Sequence, residues 1–579
     1  MKVWRETIYM PMSKQIIHAC MIELEQHRET GNVELFNVQA TLRSLTDMCT
    51  DRKNSEQHQL YIDEFETPWI KNTDDHYKAL GLRLLEGEDR SAYLVRVTEI
   101  LEQEEQRLRS AVPTISHEKI LAVCHRCLIS NHQAQLETQF QVSLERDNRK
   151  DLSACYKLLL RADCLDGITN LFQARMTAVG MQDVQALGCS AATPPNPTDF
   201  IARVVDLHAK GRELTNDCFQ SSSKFSESLD RSCATIVNTS LPKRLSPAEL
   251  LARGCDLALR KTKGAVEEEL DSRLEDIMLI FSFLQDKDVF LKFFTKAFAK
   301  RLIHGTSVSE AMEANMIGRL KAECGFEYTL KLQRMHQDVQ VSTDFLRNFR
   351  QSNMGRTLPF SFEALILRTN AWPFGSNPPA ILLPPPLSDA IYKFEQFYTH
   401  AHSGRKLNWL YHVSTGDIKA KLPKGVYELS ATTFQMCTLL AFNTQESFSS
   451  KDIQNRLGMS KKDADRVLQS LITCRLLIGP ETNDKAADLA DDEPLTLNLR
   501  FKNKKRKLKI STPLTKETQS ETAQTHKAVD EDRRMVLEAI IVRIMKTRKA
   551  LKYNELVQVW TLAPSDMLHS SNKSTLMTS

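Results

Sequence analysis

A long succession of amphipathic helices across residues 4–238 constrains the fold more than any other feature of the sequence. Apolar residues recur at helical spacing throughout this stretch, and alternating β-branched runs are scarce. Pro68 and Pro113 mark joints or helix starts. Helices that are apolar on one side bury that side best by stacking, so the pattern predicts an elongated helical solenoid. We expect two units of similar length, residues 1–113 and 114–238.

The helical pattern continues through residues 239–358, where we expect a bundle of four helices. One long helix is predicted from Val266 to Gln285, followed by a helix whose apolar stripe runs from Val289 to Leu302. The lysines of this second helix are expected to face solvent, and they are Lys292, Lys296 and Lys300. The Cys324-Gly325 pair supplies the glycine expected just past the end of a further helix.

The periodicity changes after residue 358, and residues 359–428 are predicted to form a mixed α/β region. Phe360 to Arg368 predicts a partly buried strand, since the helical period ends at Phe360 and the Trp372-Pro373 turn follows. A helix is expected from Ser388 to Thr399, and a second short β region is expected from Asp417 to Leu422.

Residues 429–512 have the order of elements typical of a winged helix. The predicted elements are a helix containing Phe434, helices from Ser449 to Leu457 and from Lys461 to Leu476, and a hairpin of Leu495 to Phe501 with Leu508 to Ile510. The acidic stretch from Asp484 to Glu493 is expected to be a mobile loop. Residues 513–526 are predicted to be a linker, and residues 527–579 to hold a further amphipathic helix.

Composition excludes several classes of protein. A chain of 579 residues is too long for one hydrophobic core, so we expect at least three domains. The 77 basic and 73 acidic side chains nearly balance, which argues against bulk electrostatic binding to nucleic acid. No signal segment opens the chain, and no apolar run reaches the about 18 residues of a membrane span. An intracellular protein of the cytoplasm and nucleus is expected.

The 13 cysteines are expected to be reduced and mostly buried in such a protein. Only Cys124 and Cys127 have CxxC spacing, and no second pair follows at a matching interval, so the pattern argues against a zinc site. His125 and His132 are interpreted as polar residues on a helix surface. No metal or other cofactor is expected.

Six long motifs occur in the order KDVFLKFF, AKRLIHG, CGFEYTLKLQRM, HSGRKLNWLYH, TTFQMCTLLAFN and IVRIMKTRK. They resemble the motifs of the cullins, the scaffold subunits of modular ubiquitin ligases. The sequence is most similar to the cullin one and cullin two subtypes. The resemblance implies a mainly α protein, in which a cullin-repeat solenoid precedes a helical bundle, a small α/β region and winged-helix domains.

The resemblance also leads us to expect that the chain is truncated at both ends. Residues 1–113 and 114–238 correspond to the second and third of the three cullin repeats. The first repeat, which holds the substrate adaptor in the family, is expected to be missing, and adaptor binding is therefore left open. The domain that carries the neddylation site in the family, here residues 527–579, is expected to be an incomplete winged helix.

By resemblance, the α/β region accepts a strand from a small zinc-binding RING protein. A strand fully paired within its own domain is the alternative interpretation of Phe360 to Leu367. The residues that the resemblance assigns to RING binding are Phe360, Phe362, Leu365, Leu367, Trp372 and Trp409. Through this RING-box protein, the chain would also hold a ubiquitin-conjugating enzyme.

Lys546 lies in the motif IVRIMKTRK. At about 100 degrees per residue, it lies nearly opposite a stripe that is expected to be buried. The stripe consists of Leu537, Ile540, Ile541 and Ile544. Spacing alone favours a solvated basic face. The resemblance implies instead that Lys546 is joined to a ubiquitin-like modifier through an isopeptide bond, the switch called neddylation.

The basic run from Lys502 to Lys509 has three interpretations. It is a solvated hairpin with lysines protecting an exposed edge, a nuclear import patch, or a direct nucleic-acid contact made beside a winged helix. Asp463 and Asp465 lie in the first turns of the predicted third helix, where they would face phosphates, and they argue against DNA binding.

The sequence indicates no enzyme active site, because it contains no serine elbow, phosphate-binding glycine loop or HExxH motif. His304 and His336 are interpreted as structural. Together with the absence of these motifs, the resemblance leads us to predict a non-catalytic scaffold of a cullin-RING ubiquitin ligase, which acts in protein degradation by raising effective concentrations. Two alternatives remain: a truncated, ligase-inactive scaffold that sequesters the RING protein, and a winged-helix DNA-binding protein.

Overall fold

The structure is a computed structural model that describes residues 5–31, 34–48, 58–87, 90–187, 195–239, 246–261, 267–374, 379–479, 494–510 and 519–549. The chain forms two compact units, Met1–Pro247 and Ala248–Ser579. The predicted acidic loop from Asp484 to Glu493 lies outside the described residues. Among the described helices, none is both long enough and apolar enough to cross a membrane.

The first unit is built from helices that pack on near neighbours in the sequence. Its longer helices are α1 (Met10–Thr30), α2 (Phe36–Met48), α3 (Thr67–Leu85), α4 (Arg90–Ala111), α5 (His117–Leu128), α6 (Gln133–Glu145), α7 (Arg149–Arg161), α8 (Asp166–Leu187), α9 (Pro197–Cys218) and α10 (Ser223–Val237). For example, α3 packs on α5, and α8 packs on α10. The amphipathic pattern predicted this local stacking, and the mainly α fold class is confirmed.

The core of the first unit contains a buried ionic group as well as apolar side chains. The fully buried Glu104 accepts hydrogen bonds from Arg28 Nη2 at 3.1 Å and from Tyr77 Oη at 2.6 Å. Arg107 also pairs with Glu104. The guanidinium of Arg28 lies 4.5 Å from the ring centroid of Trp69. Because each charge has a partner, α1, α3 and α4 are joined without an uncompensated buried ion.

The second unit contains the remaining helices. They are α11 (Pro247–Leu259), α12 (Glu267–Phe283), α13 (Lys287–His304), α14 (Glu310–Cys324), α15 (Phe326–Gln351), α16 (Pro385–Ala401), α17 (Thr433–Ala441), α18 (Ser450–Leu457), α19 (Lys461–Thr473) and α20 (Gln519–Arg548). We expected four helices in residues 239–358, whereas the structure has five helices of more than ten residues there, α11 to α15. The helix expected from Ser388 to Thr399 is confirmed as α16.

Local signals in the sequence explain where several of these helices begin and end. Gly305 ends α13 with a φ of 58°, and Gly325 separates α14 from α15 with a φ of 86°. The side chain of Ser309 caps α14 by accepting a hydrogen bond from Met312 N. The helices α17 and α18 each begin with a capping box, Thr432 with Gln435 and Ser449 with Asp452.

A fully buried arginine joins α11, α13 and α14. Arg301 donates to both carboxylate oxygens of Glu313, at 2.7 and 2.9 Å, and to Asp256 Oδ1 at 2.6 Å. Burial alone would lower the pKa of Arg301. The hydrogen bonds from Arg301 to Glu313 and the negative charge of Glu313 outweigh burial, so the pKa of Arg301 is raised. The helical pattern gave no sign of this network, because Arg301 follows Lys300 in a motif that looks like a plain basic run.

Two small sheets complete the second unit, and their strands are β1 (Thr415–Leu422), β2 (Gly425–Thr432), β3 (Ser447–Phe448), β4 (Leu477–Ile478), β5 (Leu495–Leu497) and β6 (Lys507–Lys509). The strand orders are β1-β2-β6 and β3-β5-β4. The β region predicted from Asp417 to Leu422 is confirmed as part of the antiparallel β1–β2 hairpin.

The predicted hairpin between Leu495–Phe501 and Leu508–Ile510 is wrong. In the structure, β5 pairs with β3 and β4, whereas β6 runs parallel to β2. Main-chain hydrogen bonds from Glu428 N to Arg506 O and from Ile510 N to Ser430 O, at 2.8 and 2.9 Å, join β6 to β2. Local alternation had predicted that β6 pairs with β5, but β6 pairs with the free edge of β2 instead.

The last helix, α20, corrects two further predictions. It begins at Gln519, inside the segment expected to be a linker, and Thr525 and Val529 are buried. It also packs on the face of α13 that was expected to be open to solvent. Lys292 pairs with Asp532 at 2.5 Å, and Lys296 donates to Thr525 Oγ1 at 2.6 Å. The amphipathic pattern located the apolar stripe of α13 but not the helix that covers its polar side.

Candidate docking groove and modification site

Residues 361–368 form an extended segment with one half-buried face. Exposure alternates along it, so Phe362, Ala364 and Ile366 are half-buried while the residues between them are exposed. These three side chains pack against a small core that contains Phe349 and Phe394. The prediction of a partly buried, extended segment is thus correct for its side chains.

The prediction of a strand within a sheet is wrong for this segment. No strand pairs with residues 361–368 within the part of the chain that the structure describes. The element beside the segment is the helix α15, whose main chain is already used by its own hydrogen bonds. Side chains of α15 replace the missing neighbouring strand.

Three side chains of α15 bond the main chain of the extended segment. Ser342 Oγ accepts from Ile366 N at 2.8 Å and lies 3.1 Å from Ile366 O. Asp338 Oδ2 accepts from Arg368 N at 2.9 Å. Arg350 Nη2 donates to Phe362 O at 3.1 Å. These contacts reach residues 362, 366 and 368, which are all even-numbered positions of the extended segment.

Asp338 is the best-connected residue of this group. It is buried, and besides Arg368 N it accepts from Trp372 Nε1 at 2.9 Å and from Arg368 Nε at 2.6 Å. A carboxylate that holds two side chains and one main-chain amide fixes the end of the segment and the turn that follows it.

A cleft of about 3620 Å³ lies beside the extended segment. Residues 360–370 and 405–419 are among those that line it, so a second stretch, which ends in the first residues of β1, forms another part of the wall. In that stretch, Trp409 Nε1 donates to Glu395 Oε1 at 2.6 Å. The ring centroid of Trp409 lies 6.5 Å from that of Phe362. Aromatic side chains therefore connect the two stretches on the buried side of the cleft.

The structure brings all six residues assigned to RING binding to this cleft, but in different roles. Each of them lines it. Leu365 is 38% exposed, whereas Trp372 is only 6% exposed. Phe362 and Trp409 are packed into the local core, and Phe360 and Leu367 are half-buried. Leu365 thus has the largest exposed fraction of the six side chains, and Trp372 mainly supports the segment through its hydrogen bond to Asp338.

Lys546 is exposed near the end of α20, as its spacing predicted. The stripe that was expected to be buried on this helix is not, because Leu537, Ile540 and Ile544 are half-exposed and Ile541 is 40% exposed. The first half of α20 packs on α13, whereas its second half is not packed into a core of the described residues. The prediction of a buried stripe around Lys546 is therefore wrong.

A charged clamp holds the middle of α20. Arg533 donates to Asp288 Oδ2 at 2.5 Å and to Asp286 Oδ1 at 2.8 Å. The hydrogen bond from Arg533 to Asp288 is the largest cause of the raised pKa of Arg533. On the same side of the helix, His526 Nε2 lies 3.5 Å from the buried carboxylate of Glu249. The clamp lies thirteen positions before Lys546 in the sequence.

The CxxC pair lies inside the first unit. Burial raises the pKa of Cys124 to about 12, and burial with a hydrogen bond to Asp74 raises that of Cys127 to about 11. Both thiols are thus protonated at neutral pH. His132 is only 7% exposed, so its interpretation as a surface residue is wrong. His132 is buried because α3 approaches it closely at Gly81, where an added Cβ would have no room beside the His132 ring. In the described residues, no cluster of His, Cys, Asp and Glu is arranged to hold a metal ion.

The basic run from Lys502 to Lys509 ends in β6, which is an edge strand. Lys507 lies 3.9 Å from both Asp417 and Glu428, so two carboxylates of the sheet partly offset its charge. In α19, Asp465 is buried and accepts a hydrogen bond from Ser450 Oγ at 3.0 Å, so the prediction that it would face phosphates is wrong. Asp463 accepts from Ser460 at the start of the same helix. This arrangement favours lysines that protect a strand edge over a surface for DNA.

Comparison with protein families covers most of the chain. The model described as the cullin alpha solenoid domain matches residues 1–346, and that described as the cullin alpha+beta domain matches residues 366–501. The chain belongs to the cullin family. Members of this family are scaffold subunits of ubiquitin ligase complexes.

Individual cullins match nearly the whole chain. Cullin-1 of Dictyostelium discoideum is 32% identical over 571 residues, which cover 96% of this chain and 74% of the relative. Cullin-3B of Arabidopsis thaliana is 31% identical, with coverage of 96% and 75%. Cullin-2 of Caenorhabditis elegans is 29% identical, with coverage of 96% and 74%. These identities do not single out one subtype, so the assignment to cullin one or cullin two stays a prediction.

Sequence reasoning missed the residues of this cullin that hold the extended segment. The buried positions of α15 include Leu332, Met335, Asp338, Ser342, Leu346 and Phe349. Two polar residues therefore interrupt an apolar stripe of helical period. This interruption was the available signal, because a polar side chain on a buried face needs a hydrogen-bond partner from another element.

Proposed function

We propose that this cullin is a non-catalytic scaffold that binds a RING-box protein by strand addition in the cleft beside residues 361–368. The observation that carries the proposal is an extended segment that is anchored on one edge and, among the described residues, has no strand on the other. In strand addition, main-chain hydrogen bonds supply much of the affinity and alternate side chains supply specificity. Leu365 and the half-buried Leu367 are the apolar side chains offered to the partner.

The RING-box protein would in turn hold a ubiquitin-conjugating enzyme. The scaffold then acts through effective concentration, because it keeps the enzyme's thioester and a substrate lysine in one assembly. No step of this mechanism requires the scaffold to make or break a bond. We propose that the complex works in the cytoplasm and nucleus.

Lys546 is proposed as the acceptor of a ubiquitin-like modifier. Its amine is exposed on a helix, which is the access that isopeptide formation by a modifying enzyme requires. The modified lysine would act as a switch on the RING protein, by freeing or repositioning it.

Co-purification tests this proposal. The full chain is co-expressed with a RING-box protein and passed over a sizing column, followed by a ubiquitin-chain assay with a conjugating enzyme. We expect a stoichiometric complex that stimulates chain formation. Failure of two well-folded proteins to associate would refute the proposed function.

Two other outcomes identify the alternatives. A complex that captures the RING-box protein but gives no ubiquitin chains, even with an adaptor present, would identify a sequestering scaffold. Salt-sensitive retention on DNA without RING capture would identify a DNA-binding protein. The ion pairs of Lys507 in β6 with Asp417 and Glu428 favour the ligase scaffold over this last possibility.

A further inference from the structure

We infer that α15 is a side-chain template that fixes one edge of residues 361–368 and thereby determines which main-chain groups the partner strand bonds. Ser342 and Asp338 are its positioning residues. This inference rests on the proposed function and adds the hydrogen-bond register of the interface and the residues that preform it.

The argument begins with the parity of the contacts. In an extended chain, the N–H and C=O of one residue point to the same side, and those of the next residue point to the opposite side. Every main-chain bond from α15 reaches an even-numbered residue, namely Phe362, Ile366 or Arg368. The odd-numbered residues must therefore direct their main-chain groups away from α15.

The odd edge is open in the structure. Among the described residues, none hydrogen-bonds the main chain of Ser361, Glu363, Leu365 or Leu367. Unpaired groups in a row are complemented by the main chain of another extended peptide, which offers donors and acceptors at the same repeat. The occupant that fits this edge is thus an extended peptide, which the proposed function assigns to the RING-box protein.

Ser342 occupies the main-chain N–H and C=O of Ile366 on the inner edge, so these groups do not compete for hydrogen bonds with the partner strand. Its hydroxyl accepts from Ile366 N and lies within reach of two carbonyl oxygens, Ile366 O at 3.1 Å and Asp338 O at 2.5 Å. The single hydroxyl proton serves these two acceptors, so the helix and the segment share one hydrogen bond. Since Ser342 is fully buried, water does not replace it.

Hydrogen–deuterium exchange resolved to single amides tests the inference on the full chain. In the free chain, the amides of Ile366 and Arg368 should exchange about tenfold more slowly than those of Glu363 and Leu365. Addition of the RING-box protein should slow the amides of Glu363, Leu365 and Leu367. Binding that protects the even amides further and leaves the odd amides unchanged would overturn the inference and leave the proposed function intact. Absence of binding would overturn both.

The Ser342→Ala variant tests the template itself. We expect its Ile366 amide to exchange faster and its association with the RING-box protein to slow about fivefold, because the edge is no longer preformed. The control is Thr329→Ala, which removes a buried hydroxyl that bonds within α15 only. It should lower the melting temperature without changing association. Equal association rates for Ser342→Ala and the unmodified chain would show that Ser342 is not a positioning residue.

Discussion

The extended segment of residues 361–368 and the helix α20 carry the two candidate sites of this cullin, and they are held in different ways. Side chains of α15 bond main-chain groups of Phe362, Ile366 and Arg368 on its inner edge, whereas no described residue bonds its outer edge. The helix α20 is clamped at Arg533 and packed at Val529, but the second half, which carries Lys546, lies beyond these contacts.

This difference matches the two kinds of recognition that we propose. A strand-addition site must present main-chain groups in a fixed register, because a flexible edge would lose conformational entropy on binding. An acceptor lysine needs access to an enzyme rather than a fixed partner. Changes in the template should therefore affect RING binding, and changes in α20 should affect modification.

The largest effect is expected from Lys546→Arg. Arginine keeps the positive charge but has no amine that forms the isopeptide bond, so modification should be lost completely. RING binding should stay within about twofold of the unmodified chain, since the cleft is unchanged. Intact-mass spectrometry after incubation with the modifying enzymes measures the first result, and a binding titration measures the second.

The matched control for this change is Lys527→Arg, at an exposed lysine of the same helix. It should leave modification unchanged. Full modification of the Lys546→Arg chain would show that a different lysine is the acceptor.

The next effect is expected from Asp338→Ala. This change removes the acceptor for Arg368 N, Arg368 Nε and Trp372 Nε1. Leaving these donors without their charged partner should cost about 3 kcal/mol of stability and weaken RING binding about 100-fold. Urea unfolding and a binding titration provide the two measurements.

Asp344→Ala is the control on the same helix, because the Asp344 side chain is 71% exposed and pairs only with Arg347 among the described residues. It should change stability by less than about 0.5 kcal/mol. If both variants bound the RING-box protein equally well, α15 would not preform the site.

A smaller effect is expected from Leu365→Pro, which removes one main-chain donor and one exposed apolar side chain from the open edge. Proline fits an extended chain, so the fold should survive while RING affinity falls about tenfold. Ala364→Pro is the paired control, because its lost N–H lies on the inner edge, where no described residue bonds it. Binding that is weakened more by the control than by Leu365→Pro would reverse the assigned register.

The smallest effect is expected from Arg533→Ala. The ion pairs of Arg533 involve carboxylates that are 39% and 32% exposed, so about 1 kcal/mol is the expected loss after solvent screening. Amides in the second half of α20 should exchange about fivefold faster, and RING binding should not change. The neighbouring Arg534→Ala is the control, since Arg534 is 81% exposed and pairs with Glu538 one turn away. Identical exchange in the two variants would argue against the clamp.

Much of this organisation followed from the sequence, since periodicity located the helices of both units and the motifs identified the family. Long-range pairing did not follow. The partner of β6, the cover of α13 by α20 and the anchoring of Ile366 by Ser342 all join residues that are distant in the chain. Local alternation describes the faces of an element but not its neighbour. Asp338 and Ser342 were visible only as polar positions in an apolar stripe.

The most direct test of strand capture is a calorimetric titration of the full chain with the RING-box protein, either intact or lacking its extended strand-forming segment. We predict saturable one-to-one binding for the intact protein and about a 100-fold loss of affinity for the shortened one, because main-chain pairing supplies much of the affinity. Equal affinity of the two forms would contradict the account.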